Sequence, residues 1–160
     1  MKIRGLKDED FVNYHKASMF IGCMYCDWKC CTEQKLDKSI CQNALLINSN
    51  TIDMEIANIF LRYITNPITK AIVIGGLEPF LQYSDIYDLI FYFRSHECND
   101  DIVIYTGYYK EEIHEQIKLL QQFNNVIVKF GRYIPNQKKH FDEVLGVYLA
   151  SENQYAEKIS

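Results

Sequence analysis

The sequence predicts an α/β fold built on a mostly parallel sheet, and three observations carry that prediction. Four short apolar runs, at Ser18–Gly22, Ala71–Ile74, Asp101–Tyr105 and Val126–Phe130, have the composition of buried strands. Each run ends at or beside a glycine: Gly22, Gly75–Gly76, Gly107 and Gly131. Between the later runs lie segments whose apolar residues recur at helical spacing, and such alternation argues for parallel strands joined by crossover helices.

Taken in order, residues 1–16 are polar and mixed, with Phe11 and Tyr14 to tack them onto the domain. The first strand leads directly into a cysteine-rich loop. Thr51 is placed to cap a helix with Asp53 in its first turn, and Ile52, Ile56, Ile59, Phe60, Tyr63 and Ile64 follow at helical spacing until Asn66–Pro67. A second helix is expected from Ser84, with Ile86, Leu89, Ile90 and Phe93 inward. A third is marked by Ile113, Ile117 and Leu120. Residues 132–142 are polar, contain Pro135 and read as a loop. Residues 143–150 suggest one more short strand, and the chain from Ser151 is polar. Nothing marks a linker, so a single domain over 1–160 is expected.

Composition narrows the function. Hydrophobic residues make up 48% of the chain, enough for a globular core. The formal charge of −4 and the lack of a long basic run argue against nucleic acid as the main partner. No apolar run reaches the ~18 residues of a membrane helix. The first ten residues lack the apolar region of a signal peptide. A cytoplasmic protein is therefore expected, where clustered cysteines serve metal or redox chemistry more often than disulfides.

Five of the six cysteines fall between positions 23 and 41. Thiolates suit soft metals and iron–sulfur clusters. A zinc ribbon would want two C-x2-C pairs, and only Cys23-x2-Cys26 is present. In a parallel α/β sheet the loops after the strand C-termini share one rim. That rim would carry the cysteine loop, Gly75 to Pro79, Thr106 to Tyr108 and Gly131 to Tyr133.

Cys26-x3-Cys30 after a first strand resembles the start of the radical S-adenosylmethionine signature. Cys41-Gln42-Asn43 is similar to its last cysteine, although ten residues instead of two follow Cys30. Cys31 competes for the third place, but adjacent side chains on an extended loop point apart, so Cys41 is expected. Gly75-Gly76-Leu77-Glu78-Pro79 resembles the family's Gly-Gly-Glu-Pro with Leu77 inserted. Tyr105-Thr106-Gly107-Tyr108 and Ser151-Glu152-Asn153-Gln154 complete a resemblance to glycyl-radical-enzyme activases over about residues 17–156.

The resemblance implies a small partial (β/α) barrel of the radical S-adenosylmethionine type. It implies a 4Fe–4S cluster on Cys26, Cys30 and Cys41, with S-adenosylmethionine chelating the remaining iron. Gly75 and Gly76 would approach its methionine moiety, and Glu78 would accept from its ammonium or else cap the next turn. Tyr25, Thr106 and Asn43 are further candidates at the cofactor, and Trp28 flanks a ligand. The implied activity is reductive cleavage of S-adenosylmethionine to place a glycyl radical on a partner enzyme. Anaerobic ribonucleotide reductase is the partner by resemblance, with a reduced flavodoxin-like protein as electron donor. The competing expectations are a modifier of another protein or peptide, and a non-catalytic module stabilised by zinc or a cluster. The four histidines lie away from the cysteine loop in sequence, Cys98 reads as a turn residue, and the pairs Glu111–Glu112 and Lys138–Lys139 read as solvated faces.

Overall fold

The computed structural model describes residues 1–160 and is an α/β structure with a mixed, seven-stranded sheet. Its centre is four parallel strands: β2 (Ser18–Cys23), β4 (Ala71–Gly76), β5 (Asp101–Tyr105) and β6 (Val126–Phe130). Each neighbours the next in sequence order. The crossovers are α3 (Ile56–Ile64), α4 (Tyr83–Ser95) and α5 (His114–Leu120). When parallel strands are added in one direction by crossovers of one hand, the helices collect on one face.

The packing shows this one-sidedness. Met19, Ile21, Ile72, Ile74, Ile102, Ile104, Val126 and Val128 join the inward residues of all three helices in the main core. The alternate strand positions, Ala71, Val73, Val103 and Ile127, point to the opposite face. There they meet only a small cluster with Tyr14, Leu145 and Leu149. Phe93 is fully buried among the helices, and truncating such a residue typically costs about 3–5 kcal/mol. The helix-free face is where a cavity has room to form.

Four expectations are corrected at the sheet's edges. Residues 1–16 are not merely tacked on. Lys2–Asp10 form β1, antiparallel to β2, with Ile3 fully buried. Ile52–Asp53 form a two-residue strand, β3, paired with Lys2 and Ile3, so the following helix starts at Ile56 with Glu55 at its cap position. His140–Asp142, expected as loop, are β7, which pairs with β8 (Val147–Leu149) in a separate hairpin. The polar C-terminus contributes β9 (Tyr155–Lys158), antiparallel to β6. β3, β7 and β9 are short and β1 is charged along its length, and in such strands the alternation that marks a strand is weakest.

Candidate iron–sulfur centre

A cavity opens at the C-terminal edge of the four parallel strands, and all four of their following loops line it. The cysteine loop brings Cys26, Cys30, Cys41, Gln42 and Asn43. The loop after β4 brings Gly75, Gly76, Leu77 and Glu78. The loop after β5 brings Thr106 and Gly107, and the end of β6 brings Lys129 and Gly131.

The cysteine loop reaches this position through two short helices, α1 (Lys29–Thr32) and α2 (Ala44–Ile47). Trp28 holds a left-handed φ of 63°, which turns the chain between Cys26 and Cys30. The turn aims the Trp28 amide at Cys26 Sγ, at 3.3 Å, and frees its carbonyl to accept from the amides of Cys31 and Thr32. Cys31 is buried under α1 and does not line the cavity, although its Sγ lies 3.7 Å from that of Cys30. Cys23 is fully buried in β2, and Cys98 packs partly against the main core. Three thiols of the loop thus line the cavity, while Cys31 lies buried beside Cys30 without lining it.

The electrostatics of the three differ. Burial pushes the Cys26 thiol up to about 11, opposed by the Trp28 amide. The Cys30 and Cys41 thiols are coupled, so that Cys41, with burial and neighbouring Cys31, raises Cys30, while Cys30 and the Asn43 backbone amide lower Cys41. Amides directed at sulfur favour thiolates, the form that binds metal. Three cysteines lining one cavity are the donor type that an iron–sulfur cluster takes.

The Gly75–Gly76 pair lets strand ends approach closely. A Cβ on Gly76, whose φ is +83°, would sit 2.9 Å from Gly22 Cα and 3.1 Å from Cys23 N. Glu78 is almost wholly buried. Its Oε1 accepts from Thr106 Oγ1 at 2.6 Å and the Phe80 amide at 3.1 Å, and its Oε2 accepts from the Gly107 amide at 2.9 Å. Burial raises its pKa against those donors. Glu78 thus caps the turn at Pro79–Gln82 and faces the cavity as well. The Tyr25 side chain is not among the lining residues. It is half exposed, and its carbonyl accepts from the Glu78 amide at 2.6 Å. Trp28 is also outside the lining, with Lys38 Nζ 4.9 Å from its ring centroid.

Sequence reasoning missed Lys129. It sits at the end of β6 with its side chain on the cavity, donating to the Gly131 carbonyl at 2.9 Å. Burial pulls its pKa down to about 7 against the upward pull of Glu78 and Cys30. A lone lysine ending a buried strand was the available signal, because lysine is almost never fully buried without a purpose. Also missed was the ionic clasp of the cysteine loop. Arg132 joins Glu112 and Glu33, while Lys29 joins Glu112 at 3.0 Å. Asp27 accepts from the Tyr108 hydroxyl at 2.7 Å. Glu112, expected on a solvated face, is solvent-accessible there but also ties into this clasp through Arg132 and Lys29. Glu111 is exposed.

An α/β scaffold here gathers three thiols at the C-terminal edge of its parallel strands, a donor set suited to an iron–sulfur cluster. The family model described as "4Fe-4S single cluster domain" matches residues 16–155, and the chain belongs to that family. No curated protein matches the sequence. Membership makes a 4Fe–4S cluster the bound group and is compatible with a redox enzyme. No helix is long and apolar enough to cross a membrane.

Proposed function

We propose that the protein is a radical S-adenosylmethionine enzyme that places a glycyl radical on a protein partner, with anaerobic ribonucleotide reductase as that partner and a reduced flavodoxin-like protein as donor. The observation that carries this reading is one cavity holding three thiols beside a buried cation and a buried carboxylate. Three thiols leave one iron of a cubane without a protein ligand, and Lys129 with Glu78 offers a basic and an acidic group for the two ends of a zwitterionic amino-acid moiety. The placement of all three crossover helices on one face suits the partial barrel expected from the motifs.

In this reading Cys26, Cys30 and Cys41 hold the cluster. Bound there, it supplies the electron that splits the sulfonium of S-adenosylmethionine. Lys129 neutralises the carboxylate of the methionine end. Glu78, oriented by three donors, faces its ammonium. Gly75 and Gly76 leave room for that end to lie against the backbone, and Thr106 fixes Glu78 in place. Asn43 supports the Cys41 thiolate through its amide. The chain thus contributes orientation, charge and shielding, and the cofactors carry the bond-breaking chemistry.

Anaerobic reconstitution with iron and sulfide, followed by dithionite and S-adenosylmethionine, tests the activity. The expected product is 5′-deoxyadenosine. Its absence from protein with a verified cluster contradicts the reading.

A further inference from the structure

The cysteine loop is fastened unevenly. The half that carries Cys26 and Cys30 is tied to the rim of the sheet along its length. Asp27 accepts from Tyr108, Lys29 pairs with Glu112, and Glu33 pairs with Arg132. Gln34 Nε2 joins the Cys30 carbonyl, at 2.6 Å, to the Tyr133 carbonyl, at 2.9 Å. The half that carries Cys41 differs. Lys35 turns the chain away after α1 with a left-handed φ of 56°. No hydrogen bond or ion pair joins residues 35–43 to the sheet or its rim loops; their bonds run among themselves and to the flanking turns. None of these residues is buried, and 35–39 are exposed throughout. The chain is anchored again past Cys41, where Leu46 lies over Gly22 and Gly76 and Ser49 exchanges bonds with Arg4. Between the anchors, Lys38 reaches back to the Cys26–Cys30 turn with its Nζ 4.9 Å from the Trp28 ring centroid. Yet Cys41, Gln42 and Asn43 form one wall of the cavity.

We infer that residues 35–43 form a strap that closes over the cluster, with Cys41 as the thiol that fastens it and Lys38 as the residue that positions it. Local bonds without buried contacts mark a segment that opens independently of the core. Cys26 and Cys30 stand on a floor built by the polypeptide alone. Cys41 arrives with the strap, and its bond to iron supplies the tie that the strap otherwise lacks. Cluster binding and strap closure are thus one linked equilibrium: the cluster holds the strap shut, and whatever holds the strap shut tightens retention of the cluster. Lys38 over Trp28 is such a contact, a cation on the face of an aromatic ring. The ten residues between Cys30 and Cys41 thereby gain a purpose, since they let the third thiol move without disturbing the first two. This role of Cys41 rests on the cluster ligands proposed above and not on S-adenosylmethionine.

Hydrogen exchange of the full chain, cluster-free and after anaerobic reconstitution, tests the strap without S-adenosylmethionine present. Amides of residues 35–43 should exchange about tenfold more slowly, or slower still, once the cluster is bound. Amides of Cys31, Thr32 and Glu33, already bonded in α1, should change far less. Equal exchange over 35–43 in the two forms overturns the inference. So does an equal slowing over 29–34, since the whole loop would then fold on the cluster. Release of iron to a chelator tests Lys38. Lys38→Met should speed release about two- to fivefold, and Lys38→Arg should restore the native rate. The cluster-free forms of all three proteins should melt at the same temperature, because the strap opens without the core. Equal release from the native protein and Lys38→Met removes Lys38 from the account. If 35–43 slows on loading but no 5′-deoxyadenosine forms, the strap stands and the proposed activity falls. If 5′-deoxyadenosine forms while 35–43 exchanges unchanged, the strap falls and the activity stands.

Discussion

Arg132 grips Glu112 with two parallel bonds, Nη1 to Oε2 at 2.6 Å and Nη2 to Oε1 at 2.8 Å. Glu112 in turn holds Lys29 of α1, while Arg132 also reaches Glu33 just beyond that helix. The rim loops after β5 and β6 are thereby fastened to the cysteine loop from the outside. Arg132 is 4% exposed and Glu112 28%, so the pair lies between a surface bridge and a buried one.

Glu112→Gln should lower stability by about 2 kcal/mol at pH 7, between the ~0–1 of exposed pairs and the ~3–5 of broken buried ones. The Arg132 guanidinium holds the Glu112 carboxyl at about 2, below its ordinary value near 4.3. A depressed folded-state pKa stabilises the fold above the unfolded pKa, and that contribution disappears as pH falls from about 4.3 towards 2. Urea melts of both proteins should differ at pH 7 and converge across that acid window.

Cys41→Ala should abolish retention of the cluster, whereas Cys31→Ala should keep it. Cys41 faces the cavity and Cys31 does not. Iron and sulfide content after anaerobic reconstitution and desalting checks this. Equal retention in the two variants would show that the third ligand was wrongly chosen.

Lys129→Met should separate stability from binding. The ammonium is fully buried with backbone carbonyls as its hydrogen-bond partners. Replacing a buried cation by an apolar chain of similar length should leave the melting temperature unchanged or higher. Affinity for S-adenosylmethionine should fall about tenfold or more, the loss of one charge-assisted contact. Equilibrium dialysis on the cluster-loaded protein measures it.

Gly76→Ala should destabilise the fold by about 2–3 kcal/mol, combining a left-handed φ with a collision against the backbone of β2. Gly107→Ala should cost far less, since its added methyl would meet only Glu78 Oε2 at 3.4 Å. Thermal melts of the two variants give the comparison.

The parallel centre of the fold was legible because buried central strands carry dense β-branched runs, as in Ala71–Ile74. The edges were not. β1 has only Ile3 and Leu6 as large apolar residues, and β9 reads Tyr-Ala-Glu-Lys. Ile52 lies four residues before Ile56 and imitated helical spacing, yet it pairs with Ile3. The site was legible at the level of its loops, because glycine and cysteine leave local marks. Lys129 and the Arg132–Glu112–Lys29 clasp were not, because their meaning depends on partners distant in sequence.

The claim at the centre is that the cysteine loop presents three thiols and leaves one iron open to S-adenosylmethionine. The most direct measurement is the EPR spectrum of the reduced, reconstituted protein with and without that ligand. A cluster signal whose g-values shift on addition of S-adenosylmethionine is the predicted result. Identical spectra, with the cluster quantified in both samples, would contradict it.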